Sequence, residues 1–479
     1  VLHSLYSGLP SNTPSVQGEL FYGVKGCVPA FNFMDRKLAQ SVKMFDAQYV
    51  EQFEPRLAEQ GEGLLKGGSA YSNIYTGGAQ EAHFCAVHLG IGRVFHSKNF
   101  FVFAILIILY IDIFIRTFIL LTIEFFLALY DSIRGMIKRK IFYKEIEMIW
   151  LRVLVCIFLR ELIVAGACMD IARGLPIIHM NFLGYDEQSH CRGPSSRFAH
   201  WSLQGIDHAI RRIDHAIKHS SHREYDLWIY GDHGQEKTVP YLIEHGLTIK
   251  EAVQKLFGSS KITCELSALK EKQSSRAKLL YKSKKKIIES IFPSVDAETI
   301  MVTAMGPLGH IYVNKKMDDE EKNFYAHKLV SEVKIPLVLI RQEQEKILAF
   351  TAQGTFSLPE QIADVIGEDH PFLEDMKEDI IRICKHHNAG DFVIAGWSKG
   401  MTPISFPMEF GGHAGFTKEE TNSFALLPMD APVQTGKIYL RPTDLREAAL
   451  QFLNRGSITQ SSFSDDKVQI TSTKIKVET

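Results

Sequence analysis

Three times along this 479-residue chain a stretch that reads as a β-strand leads to an acidic or imidazole side chain, and that recurrence limits the fold more than any other feature. Asp226-Leu-Trp-Ile-Tyr230 runs into Gly231-Asp232-His233-Gly234. Ile177-Ile-His-Met180 leads to Asp186 and His190, four residues apart and therefore on one face of a helical turn. Asp391-Phe-Val-Ile-Ala-Gly396 precedes Glu409-Phe-Gly-Gly-His413-Ala-Gly415. Buried parallel strands deliver functional side chains to the carboxyl edge of their sheet, so the pattern predicts an open α/β fold with its site at that edge. An adjacent Asp-His pair offers a carboxylate oxygen and an imidazole nitrogen to one cation, and flanking glycines let the backbone come close.

Near the start, Pro10-Ser-Asn-Thr-Pro-Ser15 places three hydroxyls, Ser11, Thr13 and Ser15, in a turn-rich loop. A hydroxyl, then Asp-x-x-x-His, then Asp-His-Gly, then a glycine-flanked His resembles the alkaline phosphatase superfamily, in its type I phosphodiesterase / nucleotide pyrophosphatase branch. The resemblance covers residues from about 8 to 95 and from about 166 to 455. It implies an alkaline phosphatase-like three-layer α/β sandwich with a mostly parallel central sheet. It also implies two divalent metal ions, zinc with manganese as the alternative. Asp186, His190 and His413 would hold one metal, and Asp232, His233 and the Thr13 hydroxyl would sit on the other. Thr13 is favoured as nucleophile because Gly23 follows it at the spacing at which the family closes the next helix. Arg192 is the expected contact for a substrate phosphate, and His310 is an alternative ligand. The family pattern has a further Asp upstream of the nucleophile. Its absence here reads as a lost first strand, with a natural pseudoenzyme as the other reading.

Composition adds exclusions. A hydrophobic content of 46% and a charged content of 23% are ordinary for a globular chain. A net charge of -1 gives no general attraction to nucleic acid, and none is expected as a partner. The seven cysteines are scattered, odd in number and without a C-x-x-C pair, which argues against a disulfide framework.

Residues 96–165 form an apolar helical insert that the resemblance does not cover. Its 100–130 stretch is long enough for one bilayer span at ~20 residues per span. A single crossing would separate Thr13 from Asp186, so a helical hairpin or an interfacial insert is expected. That predicts a membrane-associated protein with a cytoplasmic catalytic domain and a transmembrane helix, the alternative being a buried cap in a soluble cytoplasmic protein. The expected division is 1–95 and 166–456 as the catalytic domain, with a basic insert near 255–292 and a disordered tail from 457 to 479. The resulting functional expectation is a metal-dependent phosphoric ester hydrolase acting on a nucleotide or lipid-linked substrate. A phosphoryl-group transferase on a membrane lipid and an inactive membrane-bound binding protein are the rivals.

Overall fold

Leu337-Val-Leu-Ile340 is apolar at every position, which suits a strand covered on both faces. It lies inside a six-stranded sheet of order Ile300–Met305, Leu308–Val313, Phe392–Ala395, Leu337–Arg341, Ile347–Thr351 and Gly354–Leu358. Alternate residues go to opposite faces. Leu337, Leu339, Ile347, Ala349, Val393 and Ala395 pack with Met376, Ile380 and Ile383 of the helix Leu373–Lys385. Val338, Ile340, Phe350, Phe392 and Ile394 pack with Ala326 and Leu329 of the helix Asp319–Ser331 and with Val253 of Ile249–Phe257. Each fully buried Leu or Ile here contributes roughly 1.5–3 kcal/mol. The computed structural model describes residues 1–86, 152–257, 300–434 and 436–455, with scattered positions between 115 and 129.

The architecture is mixed α/β, but the expected mostly parallel sheet is corrected. Every ladder of the six-stranded sheet is antiparallel. The reason is local: three of its connections are too short for a crossover helix, and a short connection can only reverse the chain. One of the two two-residue connections is Gly306-Pro307, where Gly306 takes a φ of 71° and a Cβ would lie 2.6 Å from the His413 carbonyl oxygen. Parallel pairing among the described residues is confined to short strands. Ser69–Tyr71 pairs parallel with Glu81–His83 and Ile178–Met180, and Ile404–Ser405 pairs parallel with Val239–Pro240. The strand expected over 226–230 shrinks to Ile229–Tyr230 and pairs antiparallel with Asn422–Leu426, which pairs in turn with Leu2–Tyr6.

Several expected elements are present: the helix after Thr13, now Thr13–Tyr22; Arg197–Lys218, with His200, His208 and His215 exposed; and Pro442–Phe452. A buried ion-pair network fastens the first of these. Arg441 reaches Glu19 of that helix at 3.3 Å and Asp379 at 3.1 Å, and Tyr6 donates to Asp379 at 2.9 Å.

The membrane reading is also corrected. No helix among the described residues is long and apolar enough to cross a membrane. That finding overturns the expected transmembrane helix and, with it, the membrane-associated localisation. The described end of the insert is Arg152–Leu159 and the first turns of the helix Arg160–Arg173, which pack on protein: Val164 joins a core with Ile171, Ala209 and Ile213, and Glu161 pairs with Arg212. Most of 100–130, the basic insert near 255–292 from residue 258 on, and the tail from 457 lie outside the described residues.

Candidate metal and nucleophile centre

Thr13 opens the helix Thr13–Tyr22, and the preceding Asn12 caps it, its Oδ1 accepting the Ser15 amide at 3.0 Å. Capping leaves the first residue at the rim of the helix with its hydroxyl free to point outward. The Thr13 hydroxyl donates to Asp232 Oδ2 at 2.8 Å and lies 3.4 Å from His233 Nε2. The rival hydroxyls have other work or other surroundings. Ser11 Oγ donates to the Gly415 carbonyl and accepts from the Ala414 amide, while Ser15 Oγ is buried.

Asp186 and His190 share the helix Gly184–Arg192. The chain returns as Glu409–His413 against this helix, with the Phe410 amide donating to the His190 carbonyl at 2.8 Å. The approach is close enough that a Cβ on Gly411 would meet the Ser189 carbonyl at 2.5 Å, so glycine is required. Asp186 Oδ1 then lies 3.2 Å from His190 Nε2 and 3.6 Å from His413 Nε2. His413 stacks on His233 with ring centroids 3.7 Å apart, which joins this trio to the Thr13, Asp232 and His233 set.

The tautomers follow from the backbone. His190 Nδ1 faces the Gly411 carbonyl at 2.9 Å, His413 Nδ1 the Ser11 carbonyl at 3.0 Å and His233 Nδ1 the Gly234 carbonyl at 2.9 Å. A carbonyl only accepts, so each Nδ1 donates, and each Nε2 presents its lone pair when the ring is neutral. The Nε2 atoms of His190 and His413 are then 3.1 Å apart, facing each other. Two lone pairs at that distance repel unless a proton or a cation lies between them.

Electrostatics agrees. Burial opposes a charge on Asp186, yet His190 and His413 hold its carboxyl well below the usual range. Burial also opposes a charge on His190, but Asp186 and Glu409 outweigh it and lift the imidazole well above its ordinary value. His413 is held well below, by burial and by His233.

Divalent metal chemistry fits these residues. Asp186, His190 and His413 offer three ligand atoms within 4.8 Å of one another, and Asp186 Oδ1 is buried without accepting a hydrogen bond. Imidazoles whose second nitrogen is tied to a carbonyl are the usual form of metal-ligating histidine. Thr13 Oγ1, Asp232 Oδ2 and His233 Nε2 form a second group, with the last two 3.5 Å apart.

Arg192 ends the helix that carries His190, and its guanidinium lies over the Phe198 ring at 5.3 Å. His310 is removed from the ligand candidates: its Nε2 faces the Pro29 carbonyl at 3.2 Å and its Nδ1 accepts the Gly390 amide at 3.2 Å. Sequence reasoning missed Glu409, whose Oε2 lies 3.6 Å from His190 Nδ1 and accepts from Ser405 Oγ at 3.0 Å. Its one signal was position, an acid in the same stretch as His413.

No family model and no curated protein matches the chain. Among solved structures it is similar to murine ectonucleotide pyrophosphatase / phosphodiesterase 5 in complex with AMP, at 13% identity and a TM-score of 0.35 over 62% of this chain and 60% of that one. It is also similar to phosphonoacetate hydrolase from Sinorhizobium meliloti in complex with phosphonoformate, at 11% identity and a TM-score of 0.41 over 95% of this chain and 87% of that one. Human ectonucleotide pyrophosphatase / phosphodiesterase 5 aligns at 12% identity and a TM-score of 0.33, with 62% and 61% covered. The chain thus spans less than two thirds of the ectonucleotide pyrophosphatase structures it matches. Side-chain geometry, not these distant likenesses, bears on what the site can do.

Proposed function

We propose that the chain is a divalent-metal-dependent phosphoric ester hydrolase of the phosphodiesterase type, with Thr13 as its nucleophile. The observation that carries this reading is the placement of the Thr13 hydroxyl. Held by Asp232 at 2.8 Å, it is joined through His233 and the stacked His413 to the group in which Asp186, His190 and His413 converge.

Asp186, His190 and His413 would hold one metal, and Asp232, His233 and the Thr13 hydroxyl the other. Bound there, zinc, or manganese as the alternative, supplies positive charge that lowers the pKa of a hydroxyl and offsets charge on the reacting phosphate. The chain's own residues do the rest. Asp232 Oδ2 aligns the Thr13 hydroxyl and draws its proton. Thr13 Oγ1 then bonds to phosphorus as the P–O bond to the leaving alcohol breaks, and the alcohol takes a proton from water. Water next attacks the phosphothreonine ester, releasing the phosphate product and returning the proton to Thr13. The helix that starts at Thr13 turns its positive end toward the phosphoryl group. Arg192 is assigned the contact with a non-reacting phosphate oxygen.

The test is metal content measured together with hydrolysis of an aryl phosphodiester, an aryl phosphomonoester and a nucleotide diester. Two metals per chain with diester preference supports the reading. A chain that takes up neither zinc nor manganese and turns over none of the three sinks it.

A further inference from the structure

The two halves of the proposed site are launched from strands of different sheets. Asp232 and His233 follow Ile229–Tyr230, which belongs to the sheet with Asn422–Leu426 and Leu2–Tyr6. Asp186 and His190 follow Ile178–Met180, which belongs to the sheet with Ser69–Tyr71 and Glu81–His83. Among the described residues no backbone ladder joins Ile229–Tyr230 to Ile178–Met180. Something other than main-chain pairing must set their separation at this edge.

A partly buried chain of side chains spans that gap. His179 Nδ1 faces Asn73 Oδ1 at 3.0 Å, and its Nε2 is hydrogen-bonded to the Tyr230 hydroxyl. An amide oxygen only accepts, so Nδ1 donates and Nε2 accepts the Tyr230 proton; the direction of the chain is fixed. Asn73 lies two residues beyond the strand Ser69–Tyr71, His179 lies inside Ile178–Met180, and Tyr230 stands two residues before Asp232. Phe21, on the helix that begins at Thr13, packs edge-on against the His179 ring at 4.9 Å. Burial lowers the His179 pKa to about 4, which keeps the ring neutral and able to accept at neutral pH. One imidazole therefore touches the elements that carry the Thr13 helix, the Asp232 pair and the Asp186 pair.

We propose that Asn73, His179 and Tyr230 form a positioning network that sets the distance between the two metal-holding halves of the site. The inference rests on the two-metal reading above. The Asp186, His190 and His413 trio is closed by its own contacts and by Glu409. The Thr13, Asp232 and His233 half has a neutral hydroxyl as one of its three groups, a weaker ligand than a carboxylate or an imidazole, and depends on where Tyr230 holds its strand. Loss of the network should therefore weaken the second metal selectively.

The experiment is calorimetric titration of the full chain with zinc, for wild type and for the Tyr230→Phe, His179→Leu and His179→Gln variants, with melting temperature and kcat and KM for an aryl phosphodiester measured alongside. For Tyr230→Phe and His179→Leu the expected result is an unchanged first Kd and a second Kd weaker by about tenfold or more, the scale of losing a group that orients a ligand. The same two variants should lose kcat more than KM. His179→Gln keeps one acceptor and one donor and should recover most of the second Kd. Equal weakening of both metals together with a lower melting temperature would mean a merely structural role and would overturn the proposal. So would two wild-type affinities in Tyr230→Phe and His179→Leu. A wild-type chain that binds one zinc and still hydrolyses the diester overturns this inference alone; one that takes up neither zinc nor manganese and turns over no ester overturns the functional reading, and this inference with it.

Discussion

Two sets of histidines in this molecule look alike in sequence and behave differently in the fold. His190, His413 and His233 each give Nδ1 to a backbone carbonyl and turn Nε2 toward another ligand atom. His310 and His386 are as deeply placed, but the fold uses both of their nitrogens. His310 faces the Pro29 carbonyl and accepts the Gly390 amide; His386 faces the Cys27 carbonyl at 3.3 Å and accepts the Asn388 amide at 3.1 Å. Burial is common to both sets and so distinguishes nothing. The leftover nitrogen does. A ring with one spare lone pair beside a buried carboxylate can take a cation, whereas a ring with none can only hold the chain together.

The strongest test of that contrast is at the proposed nucleophile, which the first set faces. Thr13→Ala should lower phosphodiester turnover by roughly four orders of magnitude or more while metal content stays close to wild type, as for other unit nucleophiles. Full activity in that variant would end the nucleophile assignment. Next in size is His413→Ala, which removes the ring shared by both halves. Metal affinity should drop by more than about 100-fold, beyond the usual effect of a supporting residue. Equilibrium dialysis against zinc reads this directly.

The second set should respond in the opposite way. His310 is fully buried, so His310→Ala opens space in the core and leaves the partly buried Gly390 amide without its acceptor, which should cost about 2–3 kcal/mol of stability by urea denaturation. Its metal content should not change; a loss of metal would erase the distinction between the two sets. Smaller again is Glu409→Gln, which weakens the carboxylate beside His190 without removing a ligand. A fall of about tenfold in metal affinity is expected, with stability preserved.

Acid provides the mildest probe. Burial pushes His310 down to about 4 and His386 down to about 3, while the unfolded chain titrates near ~6.5. Below pH ~6.5 the unfolded chain therefore binds protons that the folded chain refuses. Stability from these two rings is complete above that pH and is lost as pH falls through 6.5 toward 4 and then 3, at up to about 1.4 kcal/mol per pH unit for each ring. Comparing urea midpoints of wild type and His310→Gln between pH 7 and pH 4.5 isolates one of them. Parallel curves for the two proteins would show that His310 titrates normally and is less tied down than its contacts indicate.

The residues that converge in the candidate site could be picked out along the chain because its parts are short and local. Asp186 and His190 needed only helical spacing, and Asp232 with His233 needed only adjacency. The helix closed by Gly23 was visible too, and that glycine takes the left-handed conformation at its C-cap. What stayed hidden depended on partners distant in sequence. The parallel sheet was expected from apolar runs alone, which do not record direction; short connections such as Gly306-Pro307 decide it. The apolar insert was weighed as membrane-facing because apolar sequence reads alike against lipid and against protein. Its described end, at the start of Arg160–Arg173, packs on Arg197–Lys218, and most of 100–130 lies outside the described residues.

The sequence by itself determined which side chains are able to bind a cation and which helical turn or strand end carries them, because those properties depend on residue type and near neighbours. Only the tertiary structure decided which of the buried histidines keeps a free nitrogen. For His413 and His190 that choice is made by carbonyls hundreds of residues away, those of Ser11 and Gly411, which no local pattern encodes; only for His233 is the partner carbonyl, that of Gly234, next in sequence.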